Sequence, residues 1–143
     1  MKPPDAETLA RACADAMWAS DNASRALGME LLEVGPGRAT MAMTITETMT
    51  NGHGMCHGGY IFTLADSAFA FACNSYNQNA VAQHCSVTFI RPGKLGDRMT
   101  AVAVERSRSG RSGIYDITVT GGDGKTIAEF RGHSRVIEGK LVP

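Results

Sequence analysis

"NGHGMCHGGYIFTLADSAFA", residues 51–70, is the stretch on which the fold turns. Its first half is rich in glycine and histidine. Its second half is an apolar run carrying one carboxylate, Asp66. From Gly59 to about Ser75 the chain is rich in alanine and free of proline and internal glycine, which predicts one long helix. Ile61, Phe62, Leu64, Ala65, Ala68, Phe69, Phe71 and Ala72 make that helix apolar nearly all round. Such a helix belongs in a core or at a contact between subunits. A carboxylate placed there costs stability unless it is paired or used.

Outward from this helix the periodicities change. Residues 5–20 carry Leu9, Cys13 and Met17 at four-residue steps, a helical pattern, and a short turn over Ser24–Gly28 closes at a glycine. "RATMAMTITETM" sets Ala39, Met41, Met43 and Ile45 against Thr40, Thr44 and Thr46, which predicts a half-buried strand after the Gly35-Pro36-Gly37 turn. Beyond the long helix four strands follow. "AQHCSVTFI" aligns Cys85, Val87 and Phe89 on one face and breaks at Arg91-Pro92-Gly93. "DRMTAVAVERS" is apolar on both faces, and "GIYDITVT" and "TIAEFRGHSRVI" flank the hairpin signal "GGDG" at 121–124. The order predicts an α+β fold: an antiparallel sheet curled round the apolar helix, with a short N-terminal helix over about residues 5–20.

Bulk properties narrow the function. At 143 residues the chain is expected to form a single domain, 1–143, with 43% hydrophobic and 20% charged residues. Lys and Arg together number 14 and balance 14 acidic residues, so no bulk field draws the protein to nucleic acid or an anionic membrane. An anionic ligand must be held by local groups. Cys13, Cys56, Cys73 and Cys85 form no C-x-x-C pair, and the N-terminus has no apolar signal core. The longest apolar run, Tyr60–Cys73, is too short to span a bilayer. These features lead to the expectation of a cytoplasmic protein with free thiols.

His57-Gly58-Gly59 stands where the helix begins. A first helical turn leaves N–H groups unpaired and carries partial positive charge, so it suits an anion or the developing oxyanion of an ester or thioester. The alternative is that the glycines only make a tight loop. Asp66 lies eight residues past Gly58, roughly 12 Å along the axis. One carbonyl therefore cannot touch both groups of a single chain. Either the two features are unrelated, with Asp66 a buried carboxylate capping a loop, or Asp66 serves a carbonyl bound at a second copy's helix start. The latter predicts a two-fold dimer with paired sites. His53 and His57 stand four apart with Cys56 between, but glycines interrupt the segment and no fourth ligand follows, so no metal is expected. Cys56 reads as a packed thiol. Asn51 either hydrogen-bonds a carbonyl or water, or holds the loop through its amide. Arg106, Arg108 and Arg111 form either a solvated turn or a contact for a nucleotide phosphate.

N-G-H-x-x-C-H-G-G followed by I-F-x-L-A-D-S-A-F-A resembles the hotdog-fold acyl-CoA thioesterases, in the branch of the phenylacetic-acid-degradation thioesterases. The similarity runs from about Asn22 to Val136 and includes "FIRPGKLGD". It implies a wrapped-helix hotdog protomer, a homodimer with two interfacial sites and commonly a homotetramer. It implies hydrolysis of phenylacetyl-CoA or a ring-hydroxylated relative to free acid and CoA, with no cofactor beyond the coenzyme A of the substrate. By the same resemblance Asp66 is nucleophile or general base and comes from the opposite subunit. The Gly58 N–H is the oxyanion donor, and Asn51 and His57 complete the catalytic set. Gly59, Phe62, Gln83, Arg108 and Arg111 are assigned to substrate, with Phe69, Met49 and Met55 as further acyl-pocket candidates. A Ser or Thr that assists the water in some relatives is replaced here by Ala82, leaving that role to Gln83, to Thr63 or to nothing. The rival readings are a hotdog hydratase or dehydratase, using His57 and Asp66, and a non-enzymatic acyl-CoA-binding protein.

Overall fold

In the computed structural model, which describes residues 2–143, the apolar run forms helix α3, Gly58–Cys73. It is preceded by α1 (Ala6–Ser20), α2 (Asn22–Ala26), β1 (Glu30–Gly35) and β2 (Arg38–Thr44). It is followed by β3 (Ala80–Phe89), β4 (Arg98–Ser109), β5 (Ser112–Thr120) and β6 (Thr126–Val136). The strands make one antiparallel six-stranded sheet in the order β1-β2-β4-β5-β6-β3. This is the α+β arrangement expected, with the sheet wrapped round α3.

The pattern of each element explains its place. On α3, Ile61, Leu64, Ala65, Ala68, Phe69, Phe71 and Ala72 are all buried. They meet the inner face of the sheet, where Met41, Met43, Met99, Ala101, Ala103, Tyr115, Ile117, Val119 and Phe130 are closed from solvent. The alternation of "RATMAMTITETM" continues past the strand itself. Ile45 stays buried, but its N–H is taken by the Asp97 carbonyl at 2.9 Å and its own carbonyl by the Gly96 N–H at 2.8 Å. The ladder to β4 thus ends at Thr44, and a 3-10 turn, Glu47–Met49, leads into the loop before α3. β4, apolar on both faces in sequence, buries only one: Val102 and Val104 on the outer face remain 42% and 40% exposed.

The two edges of the sheet differ sharply. β1 is six residues long, carries Glu30 and Glu33, and has α1 packed against it. Charge and short length are the usual protections of an edge strand. β3 spans ten residues, Ala80 to Phe89, with no Lys, Arg, Asp, Glu or Pro among them. It pairs with β6 on one side only, and Val81 and Phe89 are 46% and 50% exposed. A long, uncharged, bare edge of this kind calls for a partner strand.

Candidate active site

The site begins with the loop Thr50–His57, which is stitched on both flanks. The Asn51 N–H donates to the Met55 carbonyl at 2.7 Å, and the His57 N–H to the Met49 carbonyl at 2.7 Å. On the other flank the Cys56 N–H reaches the Gly93 carbonyl at 2.9 Å, and Met55 bridges Lys94. The Arg91-Pro92-Gly93 break therefore has a packing reason. A Cβ on Gly93 would stand 2.8 Å from Ile45 Cδ1 and 3.2 Å from Cys56 Cβ. Cys56 is buried, and burial pushes its thiol pKa upward, so it is a packed thiol and not an activated nucleophile.

Asn51 works inside this loop. Its side-chain oxygen accepts from the His53 N–H at 2.9 Å and the Met55 N–H at 3.2 Å. Of the two roles open to it in sequence, holding the loop is the one realised within the chain. Its amide nitrogen is left as a donor.

The helix start offers one open donor. The Gly59 N–H is accepted by His57 Nδ1 at 2.9 Å, and the Tyr60 N–H by the His57 carbonyl at 3.0 Å. Among the described residues the Gly58 N–H meets no acceptor. Gly58 lines an apolar cavity of about 500 Å³, together with Met55, Cys56, Ile61, Phe89, Ile90, Arg91 and Pro92. A Cβ on Gly58 would lie 2.9 Å from the Phe89 ring, so only glycine lets the aromatic wall come this close to the donor.

Asp66 stands two turns further along α3, half-buried. Burial alone raises its carboxyl pKa from the ordinary value, with no ion pair or hydrogen bond to offset it. Its charge in turn raises the pKa values of the Cys73 thiol, to about 12, and of the Cys85 thiol, both chiefly lifted by burial. Among the described residues Asp66 has no hydrogen-bond or ion-pair partner, and it does not line the Gly58 cavity.

The remaining candidates are spread over the protomer. Phe62 packs against Phe130, ring centroids 5.1 Å apart, and Phe69 is buried between Phe130 and Tyr115. Met49 is buried in the core, while Met55 lines the cavity. Gln83 is the extra residue of a β-bulge between Ala82 and His84, and lines a separate cleft with Ser107, Ser109 and His133. Thr63 donates to the Gly59 carbonyl at 2.8 Å. Arg108 lies over the Tyr76 ring at 3.5 Å and 3.6 Å from Glu105, and Arg111 sits at the exposed β4–β5 turn. None of Phe62, Gln83, Arg108 and Arg111 lines the cavity of its own chain. Conversely, Ile61, Phe89, Ile90 and Arg91 line it without having been singled out. For Phe89, Ile90 and Arg91 the signal is the "FIRPG" segment, whose contact with the helix start depends on long-range register.

Comparison with known proteins agrees with this geometry. Residues 53–128 match the thioesterase superfamily. The chain is 45% identical to the acyl-coenzyme A thioesterase PaaI of Escherichia coli (strain K12), over 90% of this chain and 91% of that protein. It superposes on the solved structure of the E. coli PaaI protein from the phenylacetic acid degradation operon with a TM-score of 0.94, covering 95% and 99% of the two chains. The TT0310 protein of Thermus thermophilus gives a TM-score of 0.79 at 38% identity, over 82% of this chain and 98% of that one. The smu.793 protein of Streptococcus mutans UA159, solved bound to acetyl CoA, gives 0.75 at 26% identity, over 78% and 90%.

Proposed function

The chain belongs to the thioesterase superfamily as a hotdog-fold thioester hydrolase, and from that premise we propose that it cleaves an aryl-acetyl-CoA, of the phenylacetyl-CoA or hydroxyphenylacetyl-CoA type, to the free acid and CoA. The observation that carries the reading is the Gly58 N–H, without an acceptor among the described residues, at the positive end of α3 in a residue that lines an apolar cavity. A thioester carbonyl seated there gains a hydrogen bond and the helix dipole as its oxygen becomes negative. The similarity to an acyl-coenzyme A thioesterase and to a protein solved with acetyl CoA supports a CoA ester as the substrate. The aryl-acetyl group is supported by the similarity to the PaaI protein of a phenylacetic acid degradation operon.

Asp66 is the acting carboxylate, and it serves the carbonyl bound by a second copy. The separation along α3 forbids both roles on one substrate within a chain, and the bare, uncharged β3 edge supports a two-fold dimer in which sheets join edge to edge. Two such dimers would form a homotetramer. Burial makes the carboxylate a stronger base than an exposed one. It either attacks the carbonyl carbon, giving a mixed anhydride and the CoA thiolate, or takes a proton from the attacking water. Asn51, through its free amide, completes the carbonyl's surroundings. In the dimer Gly59, Phe62, Gln83, Arg108 and Arg111 border the bound CoA ester, and the arginines face its phosphates. No metal or further cofactor takes part, and the reaction is cytoplasmic.

Free-thiol release from phenylacetyl-CoA, compared between the wild type and Asp66→Asn, tests the reading. Turnover in the wild type and a fall of about 10³-fold in the variant is the expected result. Water addition to an unsaturated acyl chain without thiol release would point instead to a hydratase, and tight binding with neither reaction to an acyl-CoA-binding protein. Label found in the Asp66 carboxylate after a single turnover in ¹⁸O-water would show direct attack, with water opening the mixed anhydride at the aspartyl carbon.

A further inference from the structure

We propose that His57 is a positioning residue: its imidazole caps α3 and thereby leaves the Gly58 N–H as the single open donor of the first turn. This deepens the thioesterase reading above and rests on it. Three N–H groups near the helix start are already occupied. His57 donates to Met49, Gly59 to the His57 ring at 2.9 Å, and Tyr60 to the His57 carbonyl at 3.0 Å. Only the Gly59 bond depends on a side chain. Without it the Gly59 N–H opens beside that of Gly58, and two donors compete for one carbonyl oxygen.

The same bond fixes the ring's tautomer. A backbone N–H can only donate, so Nδ1 must accept and the single proton of the neutral ring sits on Nε2. A histidine is an uncommon cap, for Ser, Thr, Asp and Asn do this work elsewhere. α1 and α2 use Asp5 and Asp21, whose carboxylates accept from Thr8 and Ser24. At the start of α3 a carboxylate cap would place a negative charge beside the developing oxyanion and oppose it. A neutral imidazole satisfies the backbone without that charge. His57 therefore acts through the geometry and charge of the donor, and its effect belongs in kcat more than in KM.

The variants His57→Ala, His57→Asn and His57→Asp separate the capping role from any direct one. His57→Ala is expected to lower kcat about tenfold with KM changed less than about threefold, and His57→Asn, a neutral cap, to recover most of that loss. His57→Asp, a charged cap, should hold the helix equally well yet release thiol no faster than His57→Ala. A His57→Asn protein as slow as His57→Ala, with unchanged helix content by circular dichroism, would overturn the proposal. ¹⁵N NMR of the wild-type imidazole provides a substrate-free arm: the Nε2–H tautomer with a hydrogen-bonded Nδ1 is expected, and a protonated Nδ1 would sink the idea. A wild type that cleaves no acyl-CoA would overturn the functional reading alone, and the NMR arm would still decide whether His57 caps the helix.

Discussion

The two ends of α3 are built to opposite rules. At the C-terminal end the polar side chains Asn74 and Ser75 are fully engaged. Asn74 donates to the Ala70 and Ala80 carbonyls at 2.9 and 3.1 Å and accepts the Ala80 N–H at 2.9 Å. Ser75 donates to the Ala72 carbonyl at 2.7 Å and accepts the Gly37 N–H at 2.8 Å. Both residues are buried. Just beyond, Tyr76 and Tyr115 both donate to one Glu105 oxygen, at 2.9 and 3.0 Å. At the N-terminal end the N–H of Gly58, a residue lining the cavity, is left without an acceptor among the described residues. An unmade backbone hydrogen bond is a cost to folding and an opportunity for binding. The closed end ties the helix to the β1–β2 turn, β3 and β4, so the open end is held at fixed position and angle.

Substitutions at the two ends should therefore damage different things. The largest effect falls at the open end. Gly58→Ala keeps the N–H but drives a methyl against Phe89, and it is expected to reduce kcat/KM about 10²-fold while the melting temperature moves little. Steady-state thiol release alongside a thermal melt reads both quantities, and a variant that loses stability but not turnover would erase the contrast. Asn74→Ala is the mirror case. It strips four hydrogen bonds from a buried junction, at a cost of about 1–3 kcal/mol by denaturant titration, with turnover per folded molecule close to wild type. A large fall in kcat with no loss of stability would show that the closed end takes part in chemistry.

Between the ends, Asp66 sharpens the comparison through pH. Burial raises its carboxyl pKa in the folded protein above that of the unfolded chain. The folded state thus holds the proton more tightly, and stability falls as pH rises from the unfolded to the folded pKa. Above that window the wild type carries the full penalty. Asp66→Asn should accordingly melt a few degrees higher than wild type at neutral pH, and the gap should close as pH drops below the ordinary carboxylate range. Melting curves from acid to neutral pH that showed Asp66→Asn less stable throughout would mean that Asp66 is paired in the folded protein.

The sequence carried one region of the molecule far better than the other. The α3 helix, the β5–β6 hairpin and the spacing from the His57-Gly58-Gly59 start to Asp66 are local patterns, and local patterns read directly as elements. The separation of Gly58 from Asp66 follows from helix geometry alone. What escaped was set by distant contacts. The cavity wall comes from Phe89 to Pro92, far past Gly58 in the chain, and only the register of β3 on β6 brings it there. Phe62 packs against Phe130, a neighbour distant in sequence that only the β6 register brings to the helix. Arg108 lies over Tyr76 and beside Glu105, a placement at the β4 bulge between Glu105 and Ser107 that a run of basic residues does not reveal.

The central claim is that each site joins the Gly58 N–H of one copy to Asp66 of another, and subunit mixing tests it most directly. Asp66→Asn and Gly58→Ala proteins, each nearly inactive, are refolded together so that mixed dimers form. A mixed dimer then contains one site with both groups intact, and thiol release should return to about a quarter of the wild-type rate for random pairing. Mixed dimers confirmed by native mass spectrometry, yet no more active than their parents, would place both groups in sites of a single chain and contradict the account.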